Sequence, residues 1–446
     1  MPRLHDALFP DVANFGALHA AWRKAVIGKR SKPGAMAFTA GLEGNLLRLE
    51  RELKDRSWSP GRYVEIAIRD PKPRIVSAAP FRDRVVHHAV CNVIAPLFDR
   101  GFIDHSYANR EAKGTHRAVR RYEQWRDNHK YLLRCDIYRY FPAIDHACLK
   151  DAFRRRIACP DTLWLLDRIV DGSNRQESVN LYYPGDDLFT PFARRRGLPI
   201  GNLTSQFFAN VFLDPLDHFV TEVLRAPYLR YLDDFALFHN DKTVLEHWRD
   251  RIAMWLGQCR LSLHPRKTVI LDTAEPTAFL GYVLQPGRRR LPEDNVRRMR
   301  NRLRGLRDRF WAGTIDAANV TSRIDAWTAH ASHADTWRLR HAIFHADRSD
   351  LATHVAHGRS AWKPGRPALL SPWQRVLRGG SWNNNPWNVR AGSRNGNSPD
   401  NRNNNIGFRV ASTHPCQSRS DHGPAGSADA AFRGGHDEWG GLKPTP

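Results

Sequence analysis

Two short apolar runs with a pair of carboxylates between them constrain the fold of this chain more than any other feature. The runs span Tyr228–Tyr231 and Phe235–His239, and Asp233 and Asp234 lie between them. Apolar runs of this length separated by a short turn are typical of a β-hairpin. A third carboxylate, Asp136, ends another apolar run upstream. The sequence therefore predicts that the three carboxylates lie at the ends of neighbouring strands.

Carboxylates at neighbouring strand ends suit a particular cofactor. Mg²⁺ prefers oxygen ligands and is usually bound by a few carboxylates together with substrate phosphates. A pair of such ions can activate the attacking oxygen and stabilise the leaving oxygen of a phosphoryl transfer. We therefore expect two Mg²⁺ ions as cofactors.

The charge of the chain indicates a polyanionic partner. The formal net charge of the 446 residues is +23, the isoelectric point is about 10.3, and Arg far outnumbers Lys. Arg and Lys side chains that neutralise phosphates give an affinity for nucleic acid that falls with salt. GC-rich coding also raises the Arg content, so charge alone does not identify the partner.

Cysteine usage and the apolar runs bear on the compartment. The six cysteines occur without a Cys-x-x-Cys pair, which argues against a zinc ribbon or a disulfide framework and for reduced thiols. The N-terminus lacks the apolar stretch of a signal peptide, and no apolar run approaches membrane-spanning length. We expect a cytoplasmic protein with no membrane partner.

Hydrophobic periodicity predicts an α+β fold. The expected helices are 14–57, Asp83–Phe98, Val244–Cys259, Val296–Phe310 and Ile324–Phe344. The expected strands, besides the hairpin, are Tyr63–Ile68, Tyr131–Ile137 and Leu261–Leu271. Pro184–Pro199 is expected to be a loop, and Asn202 or Thr204 could cap the helix that follows. His87 and His88 lie within a predicted helix without partners at metal-binding spacing, which favours a surface or buried neutral role.

An apolar strand that ends in Asp136, then a helix, then the Tyr-x-Asp-Asp hairpin resembles the palm of a reverse transcriptase. The resemblance covers residues 60–285 and implies a right-hand polymerase with fingers, palm and helical thumb, followed by a largely irregular C-terminal tail. The expected divisions are an N-terminal region with fingers over 1–130, a palm over 131–285 with an inserted fingers segment at about 150–200, a thumb over 286–350, a linker over 351–377, an Asn-rich segment over 378–411 and a disordered tail over 412–446.

This resemblance implies that the chain adds dNTPs to a primer on an RNA template. Asp136, Asp233 and the backbone carbonyl of Ile137 would hold the metal ions, with Asp234 supporting the site. Lys267 matches the cation that lies near the leaving pyrophosphate in this family. A cation there could stabilise or protonate the leaving group.

Further positions match the family individually. Phe141, five residues after Asp136, would pack under the sugar and exclude a 2′-hydroxyl. Lys72 and Arg74 would grip the incoming triphosphate, Arg through bidentate contacts and Lys as a point charge. Phe279-Leu280-Gly281 resembles the primer-grip turn that steadies the 3′ end.

The segment from Gly197 to Gln206 discriminates among reverse transcriptases. Most similar enzymes, including group II intron and retron types, carry Gln before Gly201 and Pro after Ser205, where this chain has Ile200 and Gln206. This form is similar to the reverse transcriptases of diversity-generating retroelements, which copy a template RNA with errors at adenines and rewrite part of a target gene. The resemblance implies that Ile200 and Gly201 contact the dNTP, and that Ile200, Ser205 and Gln206 affect fidelity at the template.

The tail is rich in asparagine, with ten between Asn383 and Asn405 against thirteen before Asn383. Its Gly-Gly-Ser-Trp and Ile-Gly-Phe-Arg-Val runs resemble the last segment of the formylglycine-generating-enzyme-like, C-type-lectin-fold proteins that these elements diversify. Asn codons begin with two adenines and end with a pyrimidine, so randomised adenines never create a stop codon. We interpret residues 378–411 as a translated template repeat.

Other interpretations stay open. One alternative is that the tail is a fused binding module or a plain disordered linker. For the polymerase, the alternatives are a group II intron-like, retron-like or phage-defence enzyme with an incidental tail, or a nucleic-acid-binding protein that has lost catalysis. The expected partners are a template RNA, a DNA or RNA primer, dNTPs and a separate small basic accessory protein bound on the polymerase surface.

Overall fold

The computed structural model describes residues 4–69 and 73–345. The chain divides into two units, Met1–Arg359 and Ser360–Pro446, and every described residue belongs to the first. Some sequence expectations lie outside the described residues, namely those for Lys72 and for the segments 351–377, 378–411 and 412–446.

Within the described residues the fold mixes helices and strands, which confirms the expected class in its coarse form. The helices are α1 (Phe9–Val12), α2 (Phe15–Ala25), α3 (Pro33–Ala40), α4 (Leu42–Lys54), α5 (Phe81–Asp99), α6 (Thr115–Asn128), α7 (Tyr140–Ala143), α8 (His146–Arg154), α9 (Pro160–Asp171), α10 (Thr190–Ala193), α11 (Leu203–His218), α12 (Lys242–Gln258), α13 (Glu293–Trp311), α14 (Ala317–Ala331) and α15 (Trp337–His345). The strands are β1 (Val64–Ile68), β2 (Arg74–Ala78), β3 (Tyr131–Asp136), β4 (Tyr228–Tyr231), β5 (Asp234–His239), β6 (Val269–Asp272), β7 (Thr277–Phe279), β8 (Tyr282–Gln285) and β9 (Arg288–Arg290).

The predicted helical region 14–57 is three helices, α2, α3 and α4. Gly28 adopts a φ of +68° in the turn after α2, a conformation that glycine reaches without a steric penalty. Pro33 is the first residue of α3, where its fixed φ suits a helix start. Gly41 separates α3 from α4. The local sequence therefore interrupts what the apolar spacing alone suggests is continuous.

Helix α5 is confirmed as a helix, but it is buried on most of its surface and not only along one stripe. Helices α2 and α11 both pack against it, and even its polar residues Asp83 and His87 are buried. Burial lowers the pKa of His87 to about 3 and that of His88 to about 4, with further lowering from nearby cations. Both imidazoles are therefore neutral at pH 7, as the buried interpretation of this pair expects.

A four-stranded antiparallel sheet lies in the middle of the chain, with the strand order β4-β5-β3-β6. The predicted strand β3 and the predicted hairpin are confirmed to within one residue at each end. The predicted strand Leu261–Leu271 is wrong over most of its length, because only Val269–Asp272 pairs with β3. The residues before it form a turn instead, in which the His264 amide donates to the carbonyl of Asp136 at 2.7 Å.

Both faces of this sheet are covered, because successive side chains of a strand point to opposite faces. Leu133 and Cys135 join the main hydrophobic core, where α12 packs across β3, β5 and β6. On the opposite face Phe238 contacts Tyr122 of α6, with the ring centroids 5.1 Å apart. The sheet is thus a rigid base for whatever its strand ends carry.

Asn202 is the residue that precedes α11, as one of the two predictions for this helix start has it, but its side chain does not cap the helix. Its Nδ2 donates to the carbonyl of Ser77 at 2.9 Å, and its Oδ1 accepts from the amide of Ala79 at 3.3 Å. Thr204, the other candidate cap, lies inside the helix. Asn202 therefore joins the start of α11 to strand β2.

The predicted helix Ile324–Phe344 is wrong as a single element, because a turn over 332–336 separates α14 from α15. Helix α14 starts about two turns earlier than expected, where Asp316 accepts from the amide of Asn319 at 2.7 Å. Apolar residues of α13 and α14 pack together, and Trp327 donates from Nε1 to Asn295 Oδ1 at 2.9 Å. In the predicted loop Pro184–Pro199 the structure adds one short helix, α10.

Candidate active site

The β4–β5 hairpin brings the predicted carboxylates to one end of the central sheet. Tyr231 pairs with Asp234, so Leu232 and Asp233 form the turn between the strands. Asp136 lies directly opposite Asp234 across β3 and β5. The amide that follows Asp136, that of Ile137, donates to the carbonyl of Asp233 at 3.2 Å. Strand pairing therefore gathers three carboxylates that are distant in sequence.

Burial and neighbouring negative charge raise the pKa of two of these carboxyl groups, those of Asp233 and Asp234. Burial raises the pKa of Asp233 to about 6, and the charges of Asp136 and Asp234 add to the effect. Burial also raises the pKa of Asp234, although the Arg134 guanidinium opposes it. Arg134 Nη2 lies 3.5 Å from Asp234 Oδ2, and Asp234 Oδ1 is buried without a hydrogen-bond partner among the described residues. Negative charge at this strand end is thus only partly compensated.

Lys267 is brought to the same strand end by the turn before β6. Its Nζ lies 2.8 Å from Asp136 Oδ2, while almost half of its side chain remains exposed. The position follows from backbone contacts, since Ile137 pairs with Leu263 and the His264 amide reaches Asp136. The predicted neighbour of the carboxylates is therefore close enough to act on a group bound there.

The donor set fits Mg²⁺ in chemistry. Asp136 and Asp233 supply carboxylate oxygens, and Asp234, whose Oδ1 has no hydrogen-bond partner among the described residues, lies opposite Asp136. The raised pKa values of Asp233 and Asp234 indicate negative charge that a bound cation would stabilise. Within the described residues, no three acidic, His or Cys side chains converge closely enough to hold an ion by themselves. In the usual Mg²⁺ site, substrate phosphates and water complete the coordination.

Beneath the hairpin lies a buried polar network that the sequence analysis missed. Arg230 and Asp217 have no exposed side-chain surface, and Arg230 donates to both carboxylate oxygens, from Nε at 2.7 Å and from Nη2 at 2.5 Å. Tyr228 donates to Asp217 at 2.7 Å. Arg230 Nη1 donates to Asn210 Oδ1 at 3.1 Å and to the carbonyl of Leu232 at 3.2 Å. The sequence does contain a sign of this network, because Arg230 is a cation within an otherwise apolar strand.

A second group of predicted residues lies between α7, β2 and α11. The Ser77 amide donates to the carbonyl of Ile200 at 2.9 Å. Gly201 has a φ of +109°, and a Cβ there would lie 2.5 Å from Val76 Cγ1, so only glycine fits. The carbonyl of Phe141 accepts from Leu198 at 2.9 Å. The structure therefore brings Phe141 close to the segment that contains Ile200 and Gly201.

The remaining predicted residues are distributed as follows. Ser205 is buried in the first turn of α11, and its neighbour Gln206 is half-buried. Arg74 is exposed at the start of β2. Phe279 is buried and stacks on Tyr122, with the ring centroids 4.6 Å apart.

The turn after Phe279 closes a separate three-stranded sheet, β7-β8-β9. Leu280 and Gly281 have φ values of +45° and +86°. Because Tyr122 also contacts Phe238 of β5, this turn is linked through α6 to the central sheet. In the described part of the chain, every helix is too short or too polar to cross a bilayer.

Comparisons with known proteins agree with this geometry. Residues 68–284 match the family described as reverse transcriptase (RNA-dependent DNA polymerase). Residues 317–414 match the family described as sulfatase-modifying factor enzyme 1-like domain. The second match begins on helix α14, well before the segment 378–411 that resembles this family in sequence.

Individual relatives are more distant. Protein YkfC of Escherichia coli (strain K12) is 25% identical over 276 residues, which cover 53% of this chain and 70% of that protein. Apo telomerase from Candida tropicalis, truncated from its C-terminal domain, aligns with a TM-score of 0.38 and 13% identity over 52% of this chain and 55% of that one. Telomerase from Candida albicans with a telomeric RNA fragment aligns with a TM-score of 0.35 and 12% identity over 56% and 51%.

The chain thus spans about half the length of these telomerases, and TM-scores this low do not by themselves establish a common fold. The family match does not depend on them, and it encloses the carboxylates at the end of the central sheet together with Lys267. Residues 68–284 match a reverse transcriptase domain, and this match supports RNA-directed DNA polymerase activity.

Proposed function

We propose that this polymerase is the reverse transcriptase of a diversity-generating retroelement, which makes adenine-mutated cDNA from a template-repeat RNA and so diversifies a protein-coding gene. The observation that carries the proposal is the presence of two matches on one chain, a reverse transcriptase and a sulfatase-modifying-factor-like segment. The Asn-rich run within 378–411 lies inside the second match. The Ile200 and Gln206 form of the segment before α11 supports the same assignment.

The proposed architecture is a right hand. Residues 1–130 would be an N-terminal region and fingers, 131–285 the palm with an inserted fingers segment at about 150–200, and 286–350 the thumb. The central sheet lies inside the palm range, and the packed helices α13 and α14 lie inside the thumb range. The strongly basic α13 would contact the phosphate backbone of the template-primer duplex.

The proposed catalytic group is Asp136, Asp233, Asp234 and Lys267. Asp136, Asp233 and the carbonyl of Ile137 would hold two Mg²⁺ ions, with Asp234 in support. Bound there, Mg²⁺ activates the attacking 3′-hydroxyl and stabilises the leaving pyrophosphate. Lys267, 2.8 Å from Asp136, would carry the proton for the departing pyrophosphate oxygen.

The other site residues would bind and orient the substrates. Lys72 and Arg74 would hold the triphosphate, and Phe141 would exclude a 2′-hydroxyl by contact with the sugar. Gly201 would let the backbone approach the nucleotide closely, since it carries no side chain. Phe279-Leu280-Gly281 would steady the primer terminus.

Fidelity is proposed to depend on Ile200, with Ser205 and Gln206 beside it. An apolar side chain offers no hydrogen bond near the nascent base pair, and sites that use hydrogen bonds reject wrong substrates better than apolar ones do. Sequencing cDNA made by Ile200→Gln and by the parent protein tests this. We expect fewer errors opposite template adenine in the variant, and equal error rates would remove Ile200 from the proposal.

A separate basic accessory protein is the proposed partner, besides template RNA, primer and dNTPs. The test compares purified polymerase with and without the product of a neighbouring small basic gene on the template-repeat RNA. We expect long, adenine-mutated cDNA only when both proteins are present. Efficient mutagenic synthesis by the polymerase alone would contradict the partner.

The retroelement assignment is tested most directly by the neighbouring DNA. A near-repeat of the codons for 378–411 should occur nearby, with its differences at adenines of this copy. A protein truncated before Gly379, given template RNA separately, should still polymerise. The absence of a second copy, or differences spread over all four bases, would favour a group II intron-like, retron-like or phage-defence enzyme with an incidental tail.

A catalytically inactive nucleic-acid-binding protein is the alternative from a different class. It predicts tight RNA binding without nucleotide incorporation. The retention of Asp136, Asp233 and Asp234 in one strand-end group favours the active enzyme. Full activity of an Asp233→Ala/Asp234→Ala protein would refute the proposed catalytic group.

A further inference from the structure

A surface on the N-terminal helices concentrates positive charge in an unusual way. From Val12 to Leu42 the chain contains no Asp or Glu, yet it contains five cations. These cations, Arg23, Lys24, Lys29, Arg30 and Lys32, lie at the end of α2 and in the turn that leads to α3. All except Lys29 are exposed.

These five cations form no ion pair with a carboxylate of the described residues. The Lys24 ammonium instead donates to the neutral amide oxygen of Asn92 on α5, at 2.7 Å. Nearby exposed cations behave differently: Lys54 pairs with Glu50 at 2.6 Å, and Arg154 pairs with Asp167 at 2.6 Å. The charge of the 23–32 segment is therefore left uncompensated by carboxylates of the described residues, unlike that of Lys54 and Arg154.

Helix α5 adds a further cation to this surface. Arg84 is half-buried, and its charge, together with desolvation, lowers the pKa of Lys29. Desolvation and the charges of Lys29 and Lys24 lower the pKa of His88 to about 4. Cations that depress the protonation of their neighbours repel one another, and a bound polyanion would remove that repulsion. We call Arg23, Lys24, Lys29, Arg30, Lys32 and Arg84 the cationic surface.

The cationic surface borders the segment proposed to contact the template. Arg84 Nε donates to the carbonyl of Ala79 at 2.8 Å, and the amide of Ala79 donates to Asn202 Oδ1 at 3.3 Å. Asn202 follows Ile200 by two residues. A strand that lies across Arg84 would therefore pass close to the start of α11.

We propose that the cationic surface binds the phosphate backbone of the RNA that carries the template, outside the carboxylate site. The proposal rests on the proposed function, in which the chain copies an RNA. Arg and Lys that face solvent without a carboxylate partner are suited to neutralise phosphates. A basic accessory protein is the wrong partner for this surface, because like charges across an interface cost free energy.

The test removes three charges from the turn in the full-length protein, as Lys29→Gln/Arg30→Gln/Lys32→Gln. Its matched control, Lys54→Gln/Arg56→Gln/Arg154→Gln, removes three exposed cations that each pair with a carboxylate. Both variants change the net charge equally. The dissociation constants for a fluorescent oligouridylate and for a stem-loop RNA are measured by anisotropy over a range of salt concentrations.

We expect the turn variant to lose about tenfold or more in RNA affinity and to lower the slope of log Kd against log salt by about 2, since each phosphate contact contributes about 0.7 to 0.9. We expect the control to change neither by much. If the turn variant loses affinity for oligouridylate, the surface binds unpaired template. If it loses affinity for the stem-loop alone, the surface binds folded RNA. The single variants Arg30→Gln and Lys32→Gln, both at exposed positions, keep the test valid if the triple variant is unstable.

Equal affinities and salt slopes for the turn variant and its control would overturn the proposal. So would a turn variant that loses affinity for poly-glutamate but not for RNA, because the surface would then serve an acidic protein. Extension of a short primer is measured in parallel over a range of RNA concentrations: the control should match the parent, and the turn variant should need about tenfold more RNA for its half-maximal rate. Absence of extension by the parent protein would refute the proposed function and leave the binding result standing.

Discussion

The chain contains two tight hairpin turns that each place a leucine at positive φ, and the surrounding structure supports them in different ways. In the β4–β5 turn Leu232 has a φ of +58°, and its carbonyl accepts from the buried guanidinium of Arg230. In the β7–β8 turn Leu280 has a φ of +45°, and the next residue, Gly281, adopts +86°. A left-handed conformation costs a non-glycine residue on the order of 1–2 kcal/mol. The first turn offsets this strain with a buried hydrogen bond and the second adjoins a glycine.

Each hairpin also has its own arginine–carboxylate pair, and the two pairs differ in burial. Arg230 and Asp217 are fully buried, whereas the side chains of Arg289 and Glu123 are 18% and 21% exposed. The first turn, which carries Asp233, therefore lies over a fully buried pair, while the sheet of the second turn is joined to α6 by a partly exposed pair between Arg289 of β9 and Glu123. We therefore expect the position of Asp233 in the first turn to be fixed, and the position of the second turn to be more adjustable.

The largest expected effect concerns the side chain that the first turn carries. Asp233→Asn should reduce nucleotide incorporation by on the order of a thousandfold, because a neutral amide neither binds Mg²⁺ nor compensates developing charge as a carboxylate does. Single-nucleotide primer extension on RNA measures it. Asp250→Asn, at an exposed position on α12, is the control. Comparable activity of the Asp233 and Asp250 variants would remove the functional difference between the hairpins.

The two arginine pairs should differ in their contribution to stability. Arg230→Met leaves Asp217 as a buried uncompensated charge, so we expect a loss of about 3–5 kcal/mol in the free energy of unfolding. Arg289→Met should cost about 1 kcal/mol or less, because its partner remains hydrated. Urea denaturation of both variants measures the difference. The double variant Arg230→Met/Asp217→Leu should recover much of the loss, and equal costs for the two single variants would contradict the comparison.

A pH dependence is expected at the first hairpin. The folded-state pKa of Asp233, about 6, lies above the ordinary value of 3.8, so its contribution to stability is present at low pH and is lost as pH rises through about 6. In metal-free protein, Asp233→Asn should therefore raise the free energy of unfolding at pH 7, by at most about 3 kcal/mol, and should change it little at pH 4. Thermal denaturation at the two pH values tests this. A variant less stable than the parent at pH 7 would contradict the sign.

The smallest effects are expected from the turn backbones. Gly281→Ala should cost about 1 kcal/mol, since alanine is strained at a φ of +86°. Leu232→Gly should be nearly neutral, because the release of φ strain offsets the loss of packing and the greater freedom of the unfolded chain. Chemical denaturation of both variants is the measurement. A large loss in the Leu232 variant would mean that its side chain, and not the hydrogen bond from Arg230, holds the turn.

The position of the carboxylates that we propose as catalytic was predictable because local sequence determines it. Each lies at the end of an apolar run, and strand pairing then brings Asp136 opposite Asp234. The position of Lys267 was assigned only by resemblance, since no local pattern shows that a turn after Leu263 returns to Asp136. The sequence therefore predicts which strands end in the carboxylates better than it predicts which side chains from other segments lie beside those carboxylates.

The Arg230–Asp217 network was not predictable from local patterns. Asp217 lies near the end of α11 and Arg230 lies on β4, and only the packing of that helix under the hairpin makes them partners. Asn202 shows the same limit, because its side chain is a good helix cap by type but bonds to Ser77 of a distant strand. Side chains that bond across elements need the tertiary structure to be known first.

Gly201 has a consequence for how the error rate of such an enzyme can change over generations. Its φ of +109° and the closeness of Val76 exclude every other residue at this position. On the fidelity role that we propose for Ile200, Ser205 and Gln206, heritable variation in copying accuracy would arise at these neighbours, because none of them has the positive φ that restricts Gly201. A laboratory selection for more accurate or more mutagenic descendants would find its adaptive alleles at those neighbours, while the codon for Gly201 would remain invariant.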